Sequence, residues 1–488
     1  MRRLFKVRRT LEIKSLLGKV EIKKIEELSL NVLNNVGMKI SNEKAINKLS
    51  SFSEVKIDKG RVYLKPELVI KKVENYNQDN ECISFWSKLE NIDTDDVMRL
   101  PEKSPLYPFK PDFSISGHAT HILDPYSKRI RPLLEKDCID MTKFLDTLSF
   151  DTRIKAASPG NPCDLPTLLQ PVARYKIGCE YSRYGGLVSP CENIKSAEYI
   201  YEMTQVMKKP FINSMYVISP LRIEGNDFDK IIHFLNRKVP IAVSTWPMLG
   251  VTAPINITEA IIQTLAEVLG GYTILKLLSD DGLVGFKFRL HSFDMKSGSI
   301  SYGSPEGCLL EMIASEVNKY YGNAHICLMN TTAKGIGVQS GVEKFSSALL
   351  GVISQAHVLT DIGQLSLDEI FSPAQAVYDC EILNNVMRLV EGFNFEEGKI
   401  DSIKEAILSG NSYLSSEETL RGFREVYWMP DIFVRGMLQQ HLFKKNDQEK
   451  YIGQLIKENI RKHEFEIDNN RRKELEKIYK RATDELSS

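Results

Sequence analysis

Between residues 112 and 392 the chain alternates short apolar runs with longer segments of helical apolar spacing, and no other feature constrains the fold as much. The runs at 154–158, 182–188, 211–217, 240–246, 285–290, 324–329 and 357–362 read as strands. Helix-like segments lie at 134–148, 197–207, 228–237, 257–277, 306–321, 342–353 and 373–390. Repeated strand-then-helix units need crossover connections, so they build a parallel sheet covered by helices. Seven strands are read directly, and either 113–116 or a strand in the irregular stretch before Gly285 is a candidate eighth, a count that favours a closed TIM (β/α)8 barrel over an open sheet. No GxGxxG or GxxxxGK[ST] sequence opens any of the helices, which removes the main support for a nucleotide-binding open sheet.

The flanks are organised differently. Residues 1–111 read as a small α+β region packing on the barrel, with helical spacing at 23–36, short strands across 55–64 turning at Lys59–Gly60, and a four-proline linker at 101–111. Residues 112–392 form the expected barrel core. Residues 393–488 form a helical C-terminal extension, whose last part carries an apolar stripe at Tyr451, Leu455, Leu475 and Ile478.

Lys+Arg and Asp+Glu balance at 64 each, so no global field favours nucleic acid or an anionic membrane. The eight cysteines show no CxxC pair or framework spacing, which fits reduced thiols in a cytoplasm. The basic N-terminus lacks an apolar core for a signal peptide, and no apolar span of transmembrane length is read.

In a parallel barrel the site lies where strands end. Those ends are rich in Tyr, Trp, Asn and Gln. Trp246 closes the run PIAVSTW and is the first candidate for an aromatic wall; Tyr216, Tyr184 and Tyr302 are further candidates, each with packing as the alternative. Asp361 opens the loop after the last strand. Lys334, between the strand run 324–329 and two glycines, reads either as an ordinary surface lysine or as a cation for a substrate carboxylate. His118 and His121 in GHATH lie in an extended context without a third ligand, and His325 and His357 lie inside apolar runs. No metal site is therefore expected, since histidines and cysteines do not gather at ligand spacing along the sequence.

Several separated segments resemble the trimethylamine methyltransferase (MttB) superfamily. A small-residue segment leading into DP…RP…D corresponds to Gly117, Asp124-Pro125, Arg131-Pro132 and Asp137. G-x-T-A-P followed by AE and G is similar to Gly250–Pro254, Ala266-Glu267 and Gly270. Lys334, Gln339, Gly341 and Glu343, then Asp379 and Glu381, then the tail around Glu418–Arg435 complete the series in family order.

The resemblance implies a TIM-barrel methyltransferase of the branch without pyrrolysine, glycine betaine methyltransferase-like and serving one-carbon metabolism of the methanogenesis type. It would move a methyl group from a quaternary or tertiary methylamine to the Co(I) corrinoid of a separate carrier protein. The corrinoid (cobalamin) would arrive on that partner, with no cofactor bound tightly by this chain, and the protein would be a cytoplasmic homo-oligomer. The chemistry fits the residue inventory, because the leaving group is a neutral amine and needs no general acid. Positioning on aromatic faces suffices. Four positions depart from the family pattern, Thr332, Gly337, Glu418 and Val434. They motivate the alternative of a catalytically silent homologue that binds methylated amines as a sensor or scaffold.

Overall fold

The computed structural model describes residues 7–9, 14–78, 111–115, 117–151, 154–188, 191, 193–237, 239–395, 400–438 and 448–487. The proline-rich stretch 101–110, Cys82 and most of the basic N-terminus lie outside the described residues.

Seven strands run parallel: β1 (Asp112–Ser114), β2 (Ile154–Lys155), β3 (Asn213–Val217), β4 (Ile241–Thr245), β5 (Val284–Phe286), β6 (Ile326–Leu328) and β7 (Val358–Thr360). They form two arcs, one ordered β2-β1-β7-β6 and the other β3-β4-β5. The first strand thus pairs with the last, Asp112 opposite Val358. The helices between and just after these strands are α1 (Glu135–Asp151), α2 (Gln170–Tyr181), α3 (Ile194–Met207), α4 (Asn226–Leu235), α5 (Ile257–Leu278), α6 (Pro305–Tyr320), α7 (Val338–Ile353) and α8 (Pro373–Glu391). The fold is therefore a mixed α/β architecture with parallel strands alternating with helices.

Two features correct the sequence reading. The run 182–188 is not a strand: Gly185 takes φ +88°, which breaks the extended run, and Gly186 packs so closely on Tyr175 that a Cβ there would fall 2.5 Å from its carbonyl oxygen. The segment still lies beside β2, where Ser182 Oγ donates to the Ala156 carbonyl at 2.8 Å. Helix α2 was not read from the sequence. Its apolar positions are interrupted by Arg174 and Glu180, which are nevertheless buried.

Helix α5 is long and apolar enough to cross a membrane, a span passed over in the sequence, yet 89% of its most apolar window is buried inside the protein. Leu and Ile are its commonest residues, and every residue from Thr264 to Leu278 is buried. Asn256 caps it by accepting from Glu259 N–H at 3.2 Å. The preceding region packs on it. Helix Lys19–Asn35 contributes Ile25, Leu30 and Leu33 to the same apolar cluster as Leu265, Leu269 and Tyr272. The hairpin Val55–Asp58/Arg61–Leu64 turns at Lys59 and Gly60, both at positive φ, as a tight two-residue hairpin requires.

The C-terminal helices Gln448–Arg461 and Asn469–Leu486 each bury one stripe. Ile452 and Ile456, rather than the exposed Tyr451, face the core, while Leu475, Ile478, Ala482 and Leu486 pack with α2 and α3.

Candidate functional site

An aromatic group gathers beyond the strand ends of the smaller arc. Trp246 immediately follows β4, and His291 lies five residues beyond β5, where its backbone continues toward the Pro247–Leu249 loop. The His291 imidazole stacks on the Trp246 indole with centroids 4.1 Å apart and planes 30° apart. Tyr302 meets His291 edge-on at 5.6 Å, and Tyr216, near the end of β3, meets Trp246 at 6.4 Å. The Arg289 guanidinium lies over the Trp246 ring, 5.6 Å from its centroid.

Three of the four sequence-derived aromatic candidates therefore come together. Tyr184 does not: it is 38% exposed on the Ser182–Gly186 turn and makes no ring contact with this group among the described residues. Trp246 is also more engaged than a free cage wall would be, since His291 and Arg289 already lie against it. Tyr216, 37% exposed, is the most exposed ring of the set.

Charge in this group is set by burial. His291 is held neutral, its pKa lowered to about 3 by burial and secondarily by Arg289. Burial also raises the Tyr302 phenol well above its ordinary value. Among these five side chains Arg289 is the one cation near neutral pH. One of its N–H groups donates to the Ile326 carbonyl at 3.4 Å, linking the two arcs across the gap between β5 and β6. Arg289 and His291 were missed in the sequence; their spacing in KFRLH places both on one face of an extended run, a signal that was available.

The second set lies beyond β6 and β7. Asn330 Nδ2 donates to Asp361 Oδ2 at 3.1 Å, and both side chains are buried. Asp361 takes φ +73°, as do Ser366 and Leu367 at +51° and +66°, so three non-glycine residues of one loop hold left-handed conformations. That loop docks on the preceding one, with Ser366 and Leu367 N–H donating to the Ala333 and Thr331 carbonyls, both at 2.8 Å. Lys334 is on the surface and donates to Ser366 Oγ at 2.6 Å. Gln339, exposed at the start of α7, donates to Thr332 Oγ1 at 3.0 Å and Glu343 Oε1 at 2.9 Å. Gly303 connects the two sets: at φ +70° it lies where a Cβ would come within 3.0 Å of the Asn330 carbonyl oxygen and 2.4 Å of Glu343 Cβ. Trp246, Lys334 and Asp361 thus all follow the C-terminal ends of parallel strands.

Much of the motif series serves as bracing for these loops. Arg131 donates to Asp124 at 3.0 Å and to Asp137 at 2.6 Å. The carboxylate of the fully buried Glu267 accepts from Ser219 Oγ at 2.7 Å, Leu221 N–H at 3.1 Å and Thr245 Oγ1, fixing the residue before Trp246. Glu381 accepts N–H groups of Ile432 at 2.9 Å and Phe433 at 3.0 Å, joining two motif segments 50 residues apart in sequence. Asp379 and Lys344 form a buried ion pair at 2.8 Å.

One group of ligand-capable side chains converges only in the fold and has no ligand spacing along the sequence. His118 and His121 do not form a ligand pair, and His118 is held neutral near pKa 4 by burial, then by Arg174. However, Glu311, His325 and Cys327 bring ligand-capable atoms within 4.8 Å of one another in the layer between α6 and β6. Burial raises the Glu311 carboxyl to about 7 and lowers His325 well below its ordinary value. A separate apolar cavity of about 430 Å³, lined by residues including Ile336, Val342, Tyr378 and Phe433, lies between the start of α7, α8 and the 428–435 segment. It does not include the Trp246 group.

Residues 194–486 match the family model described as trimethylamine methyltransferase (MTTB). Curated relatives include trimethylamine methyltransferase MttB of Methanosarcina barkeri (strain Fusaro / DSM 804), 26% identical over 59% of this chain and 60% of that protein. The proline betaine:corrinoid methyltransferase of Eubacterium limosum is 26% identical over 49% of this chain and 50% of that one. MttB of Desulfitobacterium hafniense is 23% identical over 83% and 81%. The chain matches about 60% of the length of the Methanosarcina barkeri relative. The solved monomethylamine methyltransferase MtmB of Methanosarcina barkeri covers 94% of this chain, but at a TM-score of 0.36 and 11% identity the likeness carries no argument about the fold. With the family model covering most of the chain, including β3 to β7 and the loops that carry Trp246, Arg289, Lys334 and Asp361, the protein belongs to the trimethylamine methyltransferase (MTTB) family.

Proposed function

We propose that the protein transfers a methyl group from a quaternary ammonium substrate that also carries a carboxylate, a betaine, to the Co(I) corrinoid of a separate carrier protein, on a closed TIM barrel whose mouth is the Trp246 side. The observation that carries the reading is the placement of Arg289 inside an aromatic group. A bare alkylammonium seated on the indole would share that ring with the guanidinium, whose centre lies 5.6 Å from the ring centroid, and the two like charges would repel. A carboxylate on the same molecule turns that repulsion into a charge-assisted hydrogen bond. The ammonium is then left to Tyr216 and the exposed part of Trp246.

In the reaction the cobalt electron pair forms the new bond to carbon while the C–N pair returns to nitrogen, giving a neutral tertiary amine. Neutral His291 and un-ionised Tyr302 suit this loss of charge. A carboxylate against the nitrogen would favour the ground state and slow transfer. Lys334 and Gln339, tied to Ser366 and Glu343, shape the neighbouring loop, and Asp361 positions Asn330. The pairing of β1 with β7 supports ring closure. The Eubacterium limosum relative named for proline betaine supports the substrate class.

The test uses full-length protein with a reduced corrinoid carrier and a panel of glycine betaine, proline betaine, trimethylamine and tetramethylammonium, following conversion of Co(I) to methyl-Co(III) by absorbance. Betaines should react best, and Arg289→Met should lose betaine transfer while tetramethylammonium gains on it. Trp246→Ala should weaken betaine binding roughly thirtyfold, corresponding to about 2 kcal/mol, whereas Trp246→Phe retains most of it. Saturable betaine binding without methyl transfer would instead establish the silent homologue.

A further inference from the structure

We propose that Glu311, His325 and Cys327 form a binding site for one zinc-class divalent ion, seated between α6 and β6 behind the aromatic group. His325 and Cys327 are two residues apart on an extended segment, so their side chains share a face. That face meets α6, from which Glu311 points inward. Glu311 Oε1 and His325 Nε2 lie 3.5 Å apart. With bonds of about 2.0–2.3 Å, two ligands of a tetrahedral zinc ion stand roughly 3.3–3.8 Å apart. The measured pair is already at that spacing, and closing the remaining separations from at most 4.8 Å takes side-chain rotation of about 1 Å.

Two further observations point to a ligand. Neither Glu311 Oε1 nor His325 Nε2 has a hydrogen-bond partner among the described residues, although both atoms are buried. Orphaned buried polar atoms are costly, and a cation between them satisfies both. The three side chains also line a small cavity of about 20 Å³, shared with Cys308, Ser347 and Gly351. It has room for one water as a fourth ligand. Gly351 is part of the design: a Cβ there would sit 2.9 Å from Cys327 Sγ. One carboxylate oxygen, one imidazole nitrogen and one thiolate sulfur form a borderline-soft donor set that suits Zn2+ or Co2+ and disfavours Mg2+ and Ca2+.

Binding exchanges the Cys327 proton for the metal–sulfur bond and involves no redox step. The full chain, stripped with a chelator and reloaded with Co2+, should show a thiolate-to-cobalt charge-transfer band with the visible bands of a tetrahedral ion, displaced by Zn2+ at one equivalent per chain. Cys327→Ser should lose the charge-transfer band, and Glu311→Gln should weaken binding roughly a hundredfold or more. Cys308→Ala, in the same cavity, should keep both. If Cys327→Ser fails to fold, Zn2+ should still slow alkylation of Cys327 in the unmodified protein, read by mass spectrometry. Absence of the band and of protection, with Zn2+ lost on desalting, overturns the site and leaves a Glu311–His325 proton-sharing pair. A band that survives Cys327→Ser also overturns it. These readouts need no methyl transfer, so they stand or fall apart from the proposed activity.

Discussion

Lys344→Met is the sharpest test of how the strand ends are held. Lys344 in α7 and Asp379 in α8 are both 0% exposed, with Nζ 2.8 Å from Oδ2. The same ammonium donates to the carbonyls of Met329 at 3.1 Å and Asp361 at 3.0 Å, the residues immediately after β6 and β7. One cation therefore ties two neighbouring strands to two helices. Methionine keeps most of the volume but removes all three donors. Asp379 would retain only Gly363 N–H at 2.7 Å and Gln375 Nε2 at 2.8 Å. Breaking a buried pair by deleting one partner costs about 3–5 kcal/mol; the Met329 carbonyl also loses a donor, while the Asp361 carbonyl keeps Gln364 N–H at 3.1 Å. The assay is urea denaturation followed by a lowered midpoint at unchanged slope. Lys344→Met/Asp379→Leu removes both charges and should recover at least half of the loss. A single variant costing under about 1 kcal/mol, or a double variant costing the sum of the two singles, would refute the reasoning.

Three other outcomes are expected. His291 has a folded pKa near 3, below its unfolded value, so its contribution is fully present above pH 6.5 and is lost as pH falls toward 3. At about 1.36 kcal/mol per unit, roughly 2.7 kcal/mol should vanish between pH 6.5 and 4.5, and His291→Phe should flatten that part of the stability profile. Gly303→Ala should cost at least about 1–2 kcal/mol from the left-handed backbone alone and move Tyr302, seen as altered tyrosine fluorescence or a changed crystal position; an unshifted Tyr302 would disprove the bridge. Glu381→Ala should speed amide exchange at Ile432 and Phe433 while leaving exchange in α5 unchanged, because only the 431–433 segment hangs on that carboxylate.

The parallel strands were legible because their apolar runs are short, fully buried in β4, β5 and β7, and bounded by helices of clear period. Six of the seven directly read runs overlap an observed strand, and 113–116 supplied another. The failure at 182–188 has a local cause. SRYGGLV has strand-like composition, but Gly185 in the left-handed region redirects the chain, and nothing in periodicity distinguishes that from a strand with a bulge. Helix α2 failed for the opposite reason. Arg174 and Glu180 interrupt its apolar spacing, while the structure buries both; the Arg174 guanidinium donates to the Gly117 carbonyl and Glu180 receives Lys176 at 3.0 Å. Tertiary partners overrode the pattern.

The site was less legible than the family, and the motifs explain why. Asp124, Arg131, Asp137, Glu267, Glu343, Asp379 and Glu381 are charged residues inside recognisable segments, which invites a catalytic reading. Nearly all of them spend their charge on backbone N–H groups, hydroxyls or partner side chains within the protein. A buried carboxylate that fixes a loop tolerates few substitutions, since losing it strands several donors at once. Residues that would meet substrate face weaker constraints on type: an aromatic ring can be Tyr or Trp, and a carboxylate can be held by Arg or Lys. Arg289 and His291 accordingly sit outside every motif that identified the family. The cluster of Glu311, His325 and Cys327 was invisible for a different reason. Its members lie 14 and 2 residues apart on a helix and a strand, and only the packing of α6 against β6 turns an ordinary spacing into a converging donor set.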